Sequence, residues 1–259
     1  MWDHHGKRVH DQEADDFRPM NYSQLKDWIE ASPRTVFFGG AGVSTESGIP
    51  DFRSENGIFK ALETYGRSPE TLLSRTFFDL RPDVFFTYYR ENLLITDVQP
   101  NQAHLALAKL EARGKLSAVI TQNIDGLHQK AGSRHVLELH GSIWRNYCMK
   151  CGKRYGIEKL QQTEGIPRCE CGGIIRPDVV LYEENLPMGV FEKAESEVRQ
   201  ADLLIVGGTS LAVYPAAGLL NYFRGSHLVL INKSEIPYDS MADLVIHDPI
   251  GEVFAGMNI

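Results

Sequence analysis

The chain carries no surplus of positive charge: 27 Lys and Arg stand against 34 Asp and Glu, a formal net charge of -7. A protein that grips nucleic acid or an anionic membrane by its field needs the opposite balance, so neither is expected as a partner. An apolar leader is missing too. Met1 to Asp16 is polar and mixed in charge, without the h-region of an export signal, and the expected location is the cytoplasm. His4, His5 and His10 in this leader read as part of a solvated tail rather than a metal site. Long hydrophobic runs are scarce; the exception, Leu203 to Leu220, passes 18 residues without a charge. Gly207-Gly208-Thr209-Ser210 and Pro215 break it into strand, turn and helix, the pattern of a soluble core rather than a membrane span. Internal repeats and low-complexity linkers are absent.

What is present is an alternation of β-branched apolar runs with amphipathic stretches. Thr35-Phe38, Ala118-Ile120, Val136-Leu139, Leu203-Val206, Leu228-Ile231 and Leu244-Ile246 read as buried strands, and Ser23-Ala31, His104-Arg113 and Val213-Arg224 as helices. That order predicts an α/β fold with a doubly wound parallel sheet, Rossmann-like in architecture. Residues 54–98, rich in aromatics and helix formers, and residues 142–180, which hold every cysteine, interrupt the alternation. Both are expected to be insertions that build a smaller lobe, leaving 22–53, 99–141 and 181–259 as the dinucleotide-binding domain and 1–21 as the leader.

Behind the first strand runs Gly39-Gly40-Ala41-Gly42-Val43-Ser44-Thr45, continuing to Gly48-Ile49-Pro50-Asp51-Phe52-Arg53. Glycines let the backbone approach a pyrophosphate, and a helix expected after the turn would aim its free N–H groups at that anion. The third glycine of the dehydrogenase fingerprint G-x-G-x-x-G would fall on Thr45, which disfavours hydride transfer. The strands end in Gly39-Gly40, Thr121-Gln122-Asn123, His140-Gly141, Gly207-Gly208-Thr209-Ser210 and Asn232-Lys233-Ser234, and in parallel sheets such ends collect at one crevice.

Cys148-x-x-Cys151 and Cys169-x-Cys171, with glycines behind each pair, favour a closed tetrahedral Zn(Cys)4 site of structural rather than catalytic use. Lys150, Lys153, Arg154 and Lys159 make that segment locally basic and read as a solvated face. His140, at the end of Val136-Leu139, is placed at the crevice mouth, where a near-neutral imidazole suits a general base. His104, His128, His135, His227 and His247 are read as structural histidines.

Gly40-Ala41-Gly42-Val43-Ser44, Gly48-Ile49-Pro50-Asp51-Phe52-Arg53, Thr121-Gln122-Asn123-Ile124-Asp125-Gly126-Leu127-His128, His140-Gly141, the cysteine pairs and Gly208-Thr209-Ser210-Leu211 occur in sirtuin order. Over residues 22 to 254 the chain resembles bacterial sirtuins, NAD-dependent protein lysine deacylases. The resemblance implies that Ala41, Gly42, Thr45, Thr209, Ser210 and Asn232 bind NAD, with Gly40, Asp51, Gly208, Lys233 and Ile250 alongside. Phe52 and Arg53 would close over it, Gln122 would touch the ribose, and Asn123, Ile124 and Asp125 would line the nicotinamide pocket. His140 would be the base, with Asn123 the other catalytic residue. The acyl oxygen would attack C1′ of the nicotinamide ribose and yield O-acyl-ADP-ribose.

An acylated protein would add as an extended strand along Val180, Leu181, Tyr182 and Glu183, where Glu183 replaces the glycine usual in the family. Sirtuins that prefer succinyl or malonyl lysine carry a Tyr-x-x-Arg pair; the nearest alignment puts Phe86 and Tyr89 there, with Arg90 one residue beyond, so neutral acyl groups are expected. The competing readings are ADP-ribosyl transfer from the same NAD site and a non-catalytic NAD-sensing zinc protein.

Overall fold

A computed structural model describes residues 17–51 and 54–259. Residues 1–16, the part of the expected leader 1–21 that holds its three histidines, and the pair Phe52 and Arg53 lie outside the described residues; 17–21, the rest of that leader, open the first helix. The elements are α1 (Phe17–Ala31), β1 (Thr35–Gly39), α2 (Glu55–Tyr65), α3 (Pro69–Leu72), α4 (Arg75–Leu80), α5 (Pro82–Asn92), α6 (Gln102–Ala112), β2 (Ala118–Thr121), α7 (Leu127–Ala131) and β3 (Val136–Glu138). They continue with β4 (Gly141–Cys148), β5 (Arg154–Tyr155), α8 (Glu158–Gln161), β6 (Ile175–Val179), α9 (Met188–Gln200), β7 (Leu203–Gly207), β8 (His227–Ile231), β9 (Leu244–Ile246) and α10 (Ile250–Gly256).

Six strands form one parallel sheet in the order β3-β2-β1-β7-β8-β9. Relabelled without the inserted strands this is 3-2-1-4-5-6, the doubly wound dinucleotide-binding order, and its reversal point lies between β1 and β7. Each central strand reads as an unbroken apolar run because both of its faces are covered. Phe37, Val119, Ile205 and Val229 pack toward α1, α6 and α10, while Val36, Phe38, Leu204, Val206 and Leu230 pack toward α9 and the 216–222 segment. The odd-even split follows the two-residue period of the pleat.

Two short elements depart from the expectations. The glycine run does not enter an α-helix at once: it winds through single 3-10 turns at Ala41–Val43 and Thr45–Ser47, and the next α-helix is α2. The segment expected to be helical from Val213 begins only after Pro215, as a 3-10 helix over Ala216–Tyr222. A proline biases the residue before it away from helical backbone, and Gly218 weakens the turn that follows. The uncharged run from Leu203 therefore resolves into strand, loop and 3-10 helix. Among the described residues no helix is long and apolar enough to cross a membrane.

The two interruptions meet in a second core. Helices α2 to α5 build one half of it; the first three begin at serines, Ser54, Ser68 and Ser74, which accept the backbone N–H of Gly57, Thr71 and Phe77 respectively. Their aromatic faces, Phe78, Phe85, Phe86 and Tyr89, pack with Ile143, Ile157, Leu160, Ile175 and Val179 of the cysteine-bearing segment. A three-stranded antiparallel sheet, β5-β4-β6, frames that segment.

Candidate active site

The carboxyl ends of β1 and β7 touch through their backbones. Gly40 N–H donates to Gly207 O at 3.2 Å and Gly42 N–H to Gly208 O at 2.8 Å. A Cβ on Gly42 would lie 2.7 Å from Gly208 Cα, and one on Gly40 2.7 Å from Thr209 Cβ, so only glycine permits this approach. Gly208 itself adopts φ +61. The cross-links continue outward: Gln122 Nε2 donates to Thr209 Oγ1 at 3.0 Å, and Thr209 N–H donates to Asn232 Oδ1 at 2.9 Å. Asn232 Nδ2 is buried with no partner.

These groups open on a cleft of about 730 Å³ whose wall includes Gly42, Thr45, Asp51, Gly208, Thr209, Ser210, Asn232, Lys233 and Ile250. A backbone cradle that a Cβ would fill, beside an orphaned amide donor, suits the phosphates and ribose of a dinucleotide. Gly40 stays behind the wall, in the strand-to-strand contact.

A second cavity of about 230 Å³ adjoins it and is lined by Ala41, Gln122, Asn123, Ile124, Asp125 and His140. At its base Asn123 Nδ2 donates to Gly40 O at 3.0 Å and to Ser44 Oγ at 3.1 Å. Ser44 Oγ–H in turn donates to Asp125 Oδ2 at 2.7 Å, and Asp125 Oδ1 accepts Leu127 N–H at 2.8 Å. Burial raises the Asp125 carboxyl above its ordinary range, a rise that the Leu127 and Ser44 hydrogen bonds oppose and the nearby Glu138 charge adds to.

Behind Ser44 lies His104, 3.5 Å from Ser44 Oγ through Nε2, while its Nδ1 accepts Asn101 N–H at 3.3 Å in a capping box. That acceptor role puts the ring proton on Nε2, facing Ser44. His128 packs 4.7 Å away with both nitrogens buried and unpartnered. Burial keeps both rings neutral, His104 lowered to about 4 and His128 well below its ordinary value, so neither titrates near neutrality. Ser44 and His104 are the site residues that sequence reasoning passed over. The signal available was Asn101-x-x-His104, a cap residue followed three positions later by a side chain able to reach back.

His140 sits in the turn between β3 and β4, two residues past the strand end. Its Nδ1 lies 2.9 Å from the Gln122 carbonyl oxygen. A carbonyl only accepts, so Nδ1 carries the proton and Nε2 is the lone-pair nitrogen of the neutral ring. The His140 carbonyl accepts Val180 N–H at 2.9 Å, which ties this turn to the segment that follows β6.

Val180, Leu181, Tyr182 and Glu183 continue along the cavity wall, and Tyr182 exchanges backbone hydrogen bonds with Leu73 O and Arg75 N–H at 3.0 Å each. The structure removes Phe86 and Tyr89 from that wall. Both are fully buried in the second core, Tyr89 stacked on Phe85 and Phe86 set edge-on to Phe78 and Phe85. Helix α5 turns about 100° per residue, and the residues it presents to the cavity are Asn92 and Leu93. Arg90 points the other way: Nε donates to Leu160 O at 2.9 Å, Nη1 to Phe86 O at 3.3 Å, and Nη2 to Gly165 O.

The four cysteines, far apart in the sequence as two pairs, bring their Sγ atoms within 4.8 Å of one another. Cys148 and Cys171 lie 3.5 Å apart and Cys151 and Cys169 3.6 Å apart, all as free thiols. Zn–S bonds of about 2.3 Å at tetrahedral angles require sulfur separations of roughly 3.8 Å, so the cage fits a zinc ion. The close second pair is accommodated by Gly172 at φ +79 and by Gly173, where a Cβ would come within 2.6 Å of Cys148 Sγ. Tyr155 O–H donates to Cys169 Sγ at 3.0 Å.

The Sir2 family model matches residues 40–215, the span from the glycine cradle through the zinc cage to the 209–215 loop. The chain belongs to the Sir2 family. Curated relatives named NAD-dependent protein deacetylase include one from Clostridium acetobutylicum, 57% identical over 233 residues, which cover 89% of this chain and 95% of the relative. Another, from Cutibacterium acnes, is 52% identical over 238 residues, covering 92% and 98% of the two chains. Among solved structures, a Sir2 variant with deacetylated p53 peptide and 3′-O-acetyl ADP ribose superposes with TM-score 0.83 at 40% identity, over 92% of this chain and 97% of that one. A Sir2 homolog–NAD complex gives TM-score 0.83 at 38% identity over 91% of each.

Proposed function

We propose that this protein is an NAD-dependent protein lysine deacetylase, that it releases nicotinamide and O-acetyl-ADP-ribose, and that zinc holds its small lobe together. The observation that carries the reading is the placement of His140. Its Nδ1–H is held by Gln122, whose side chain reaches Thr209 in the dinucleotide cleft, and its carbonyl is held by Val180 on the substrate strand. One residue thus lines the acyl-lysine cavity while being braced, through Gln122, from the NAD cleft.

Bound NAD supplies an electrophilic ribose carbon with nicotinamide as its leaving group. The chain supplies the rest. Asn123 and Asp125, aligned through Ser44, form a polar end suited to a carboxamide. Ile124 and the apolar wall exclude water from the reacting carbon. His140 accepts at Nε2 the proton of a ribose hydroxyl, and the Gln122 carbonyl stabilises the imidazolium that results. Gly42 and Gly208 hold the phosphates by close backbone approach, with Gly40 behind them in the strand-to-strand contact.

Neutral acyl groups fit the cavity best. Among the described residues no Lys or Arg side chain lines it, and Arg90 is committed to three carbonyls on the far side of α5. A succinyl carboxylate would lose its water without gaining a partner.

The test is a mass-spectrometric assay with NAD and matched acetyl- and succinyl-lysine peptides. Equal amounts of deacetylated peptide, nicotinamide and O-acetyl-ADP-ribose are expected, with acetyl removed at least about ten-fold faster than succinyl. Nicotinamide release with ADP-ribose left on the peptide would replace this reading with a transferase.

A further inference from the structure

Glu183 is a non-glycine residue in left-handed backbone, φ +76. L side chains adopt that conformation only where something offsets the strain. One offset is visible: Glu183 Oε2 accepts Thr76 N–H at 2.9 Å, which pins the loop after β6 to the first turn of α4. This contact uses one carboxylate oxygen. The residue is exposed, lines the substrate cavity, and makes no ion pair among the described residues.

Its neighbours do not neutralise it. Glu184 is occupied by Arg176, at 2.6 and 3.0 Å, and by Arg75 at 3.3 Å, and Arg75 also holds Asp79 at 2.8 Å. Both local arginines are therefore spent on other carboxylates, and Glu183 keeps its charge. The hydrogen bonds from Thr76 hold its carboxyl below the ordinary range, so it is ionised at neutral pH. Along the chain it follows Val180, the residue bonded to His140, by three residues, in a turn closed by Glu184 N–H on Leu181 O at 3.0 Å.

We infer that Glu183 is a specificity-determining residue that selects acetylated segments carrying an arginine or lysine within about three residues of the acetyl-lysine. The inference rests on the deacetylase reading above. An exposed ion pair of this kind acts on substrate capture, so the preference lies in KM rather than kcat and weakens as salt is raised.

The experiment compares acetyl-lysine peptides bearing one Arg, Gln or Glu at each flanking position, with native enzyme, Glu183→Gln and Glu183→Gly. Glutamine keeps an oxygen for Thr76 but removes the charge; glycine removes both and relieves the backbone. At low ionic strength the native enzyme is expected to favour the best Arg peptide over its Gln counterpart by about five-fold in kcat/KM. Both variants should bring that ratio to near one while still processing the Gln peptides, and Glu183→Gly should melt no lower than the native protein. An Arg preference that survives in Glu183→Gln, or that is lost only in Glu183→Gly, overturns the inference. If no peptide yields nicotinamide with any of the three proteins, the deacetylase reading fails instead.

Discussion

Gln122 holds His140 with its backbone and Thr209 with its side chain: its carbonyl lies 2.9 Å from His140 Nδ1, and its Nε2 lies 3.0 Å from Thr209 Oγ1. A single residue at the end of β2 thereby sets the tautomer of the proposed base and braces the loop after β7. The base and the cofactor cleft are registered to each other by the sheet rather than by flexible loops.

His140→Ala leaves these backbone contacts in place. Turnover, followed by nicotinamide release, is expected to fall by about two to four orders of magnitude while calorimetric NAD affinity stays within a few-fold. Activity near the native level would remove His140 from the proposed role.

Asp125 makes a trade of stability for function testable. Burial raises its folded carboxyl above the unfolded value, so the folded state binds the proton more tightly and stability falls as pH rises through that interval. At neutral pH the cost is fully present. Asp125→Asn should therefore raise the melting temperature at pH 7, and the gain should shrink as pH is lowered below the ordinary carboxyl range. Turnover should drop by about ten-fold or more, because the charged end of the proposed nicotinamide pocket is lost. A melting temperature lower at pH 7 than at acid pH, relative to native, would contradict the sign.

Gly141 is fixed by its surroundings. Its φ is +80, and an added Cβ would sit 2.0 Å from the carbonyl oxygen of Asp178, backbone that cannot step aside. Gly141→Ala is expected to cost about 2 kcal/mol or more in chemical denaturation and to reduce activity further by displacing His140 next to it. Native-like stability would show that β4 and β6 can separate at this point.

Removing zinc should unmake the small lobe rather than switch off a step. Cys148 and Cys169 belong to the core that also holds Phe78, Phe85 and Phe86, so a strong chelator should release one zinc per chain and expose those aromatics. Near-ultraviolet circular dichroism and loss of peptide turnover should follow together. A chelated protein that keeps both its aromatic signal and its activity would assign the cysteines another use.

Much of this was legible in the chain. Strands buried on both faces write themselves as unbroken apolar runs, so Val36-Phe37-Phe38 and Leu203-Leu204-Ile205-Val206 read directly, and parallel order followed from the intervening helices. Cysteine spacing and the glycine run are equally local signals. The course of α5 was not: Phe86, Tyr89 and Arg90 are adjacent in sequence to the cavity residues Asn92 and Leu93, and a shift of one residue turns a helical side chain by about 100°. Only packing in the second core, with Ile143 and Ile175, shows that both aromatics are buried away from the cavity.

By itself, then, the sequence determined the sheet, the two cysteine pairs that the fold brings together and the polar residues that end the strands, because each depends on spacing within a few positions. The tertiary structure decided what those residues do to one another. Ser44 meets Asp125 across 81 positions, and Asn123 meets Gly40 across 83, through strand ends that neighbour only once the sheet has formed. The left-handed backbone of Glu183 likewise depends on α4, which lies more than a hundred residues earlier. Contacts of that range leave no periodicity in the chain, since their geometry is set by the order of strands and not by the order of residues.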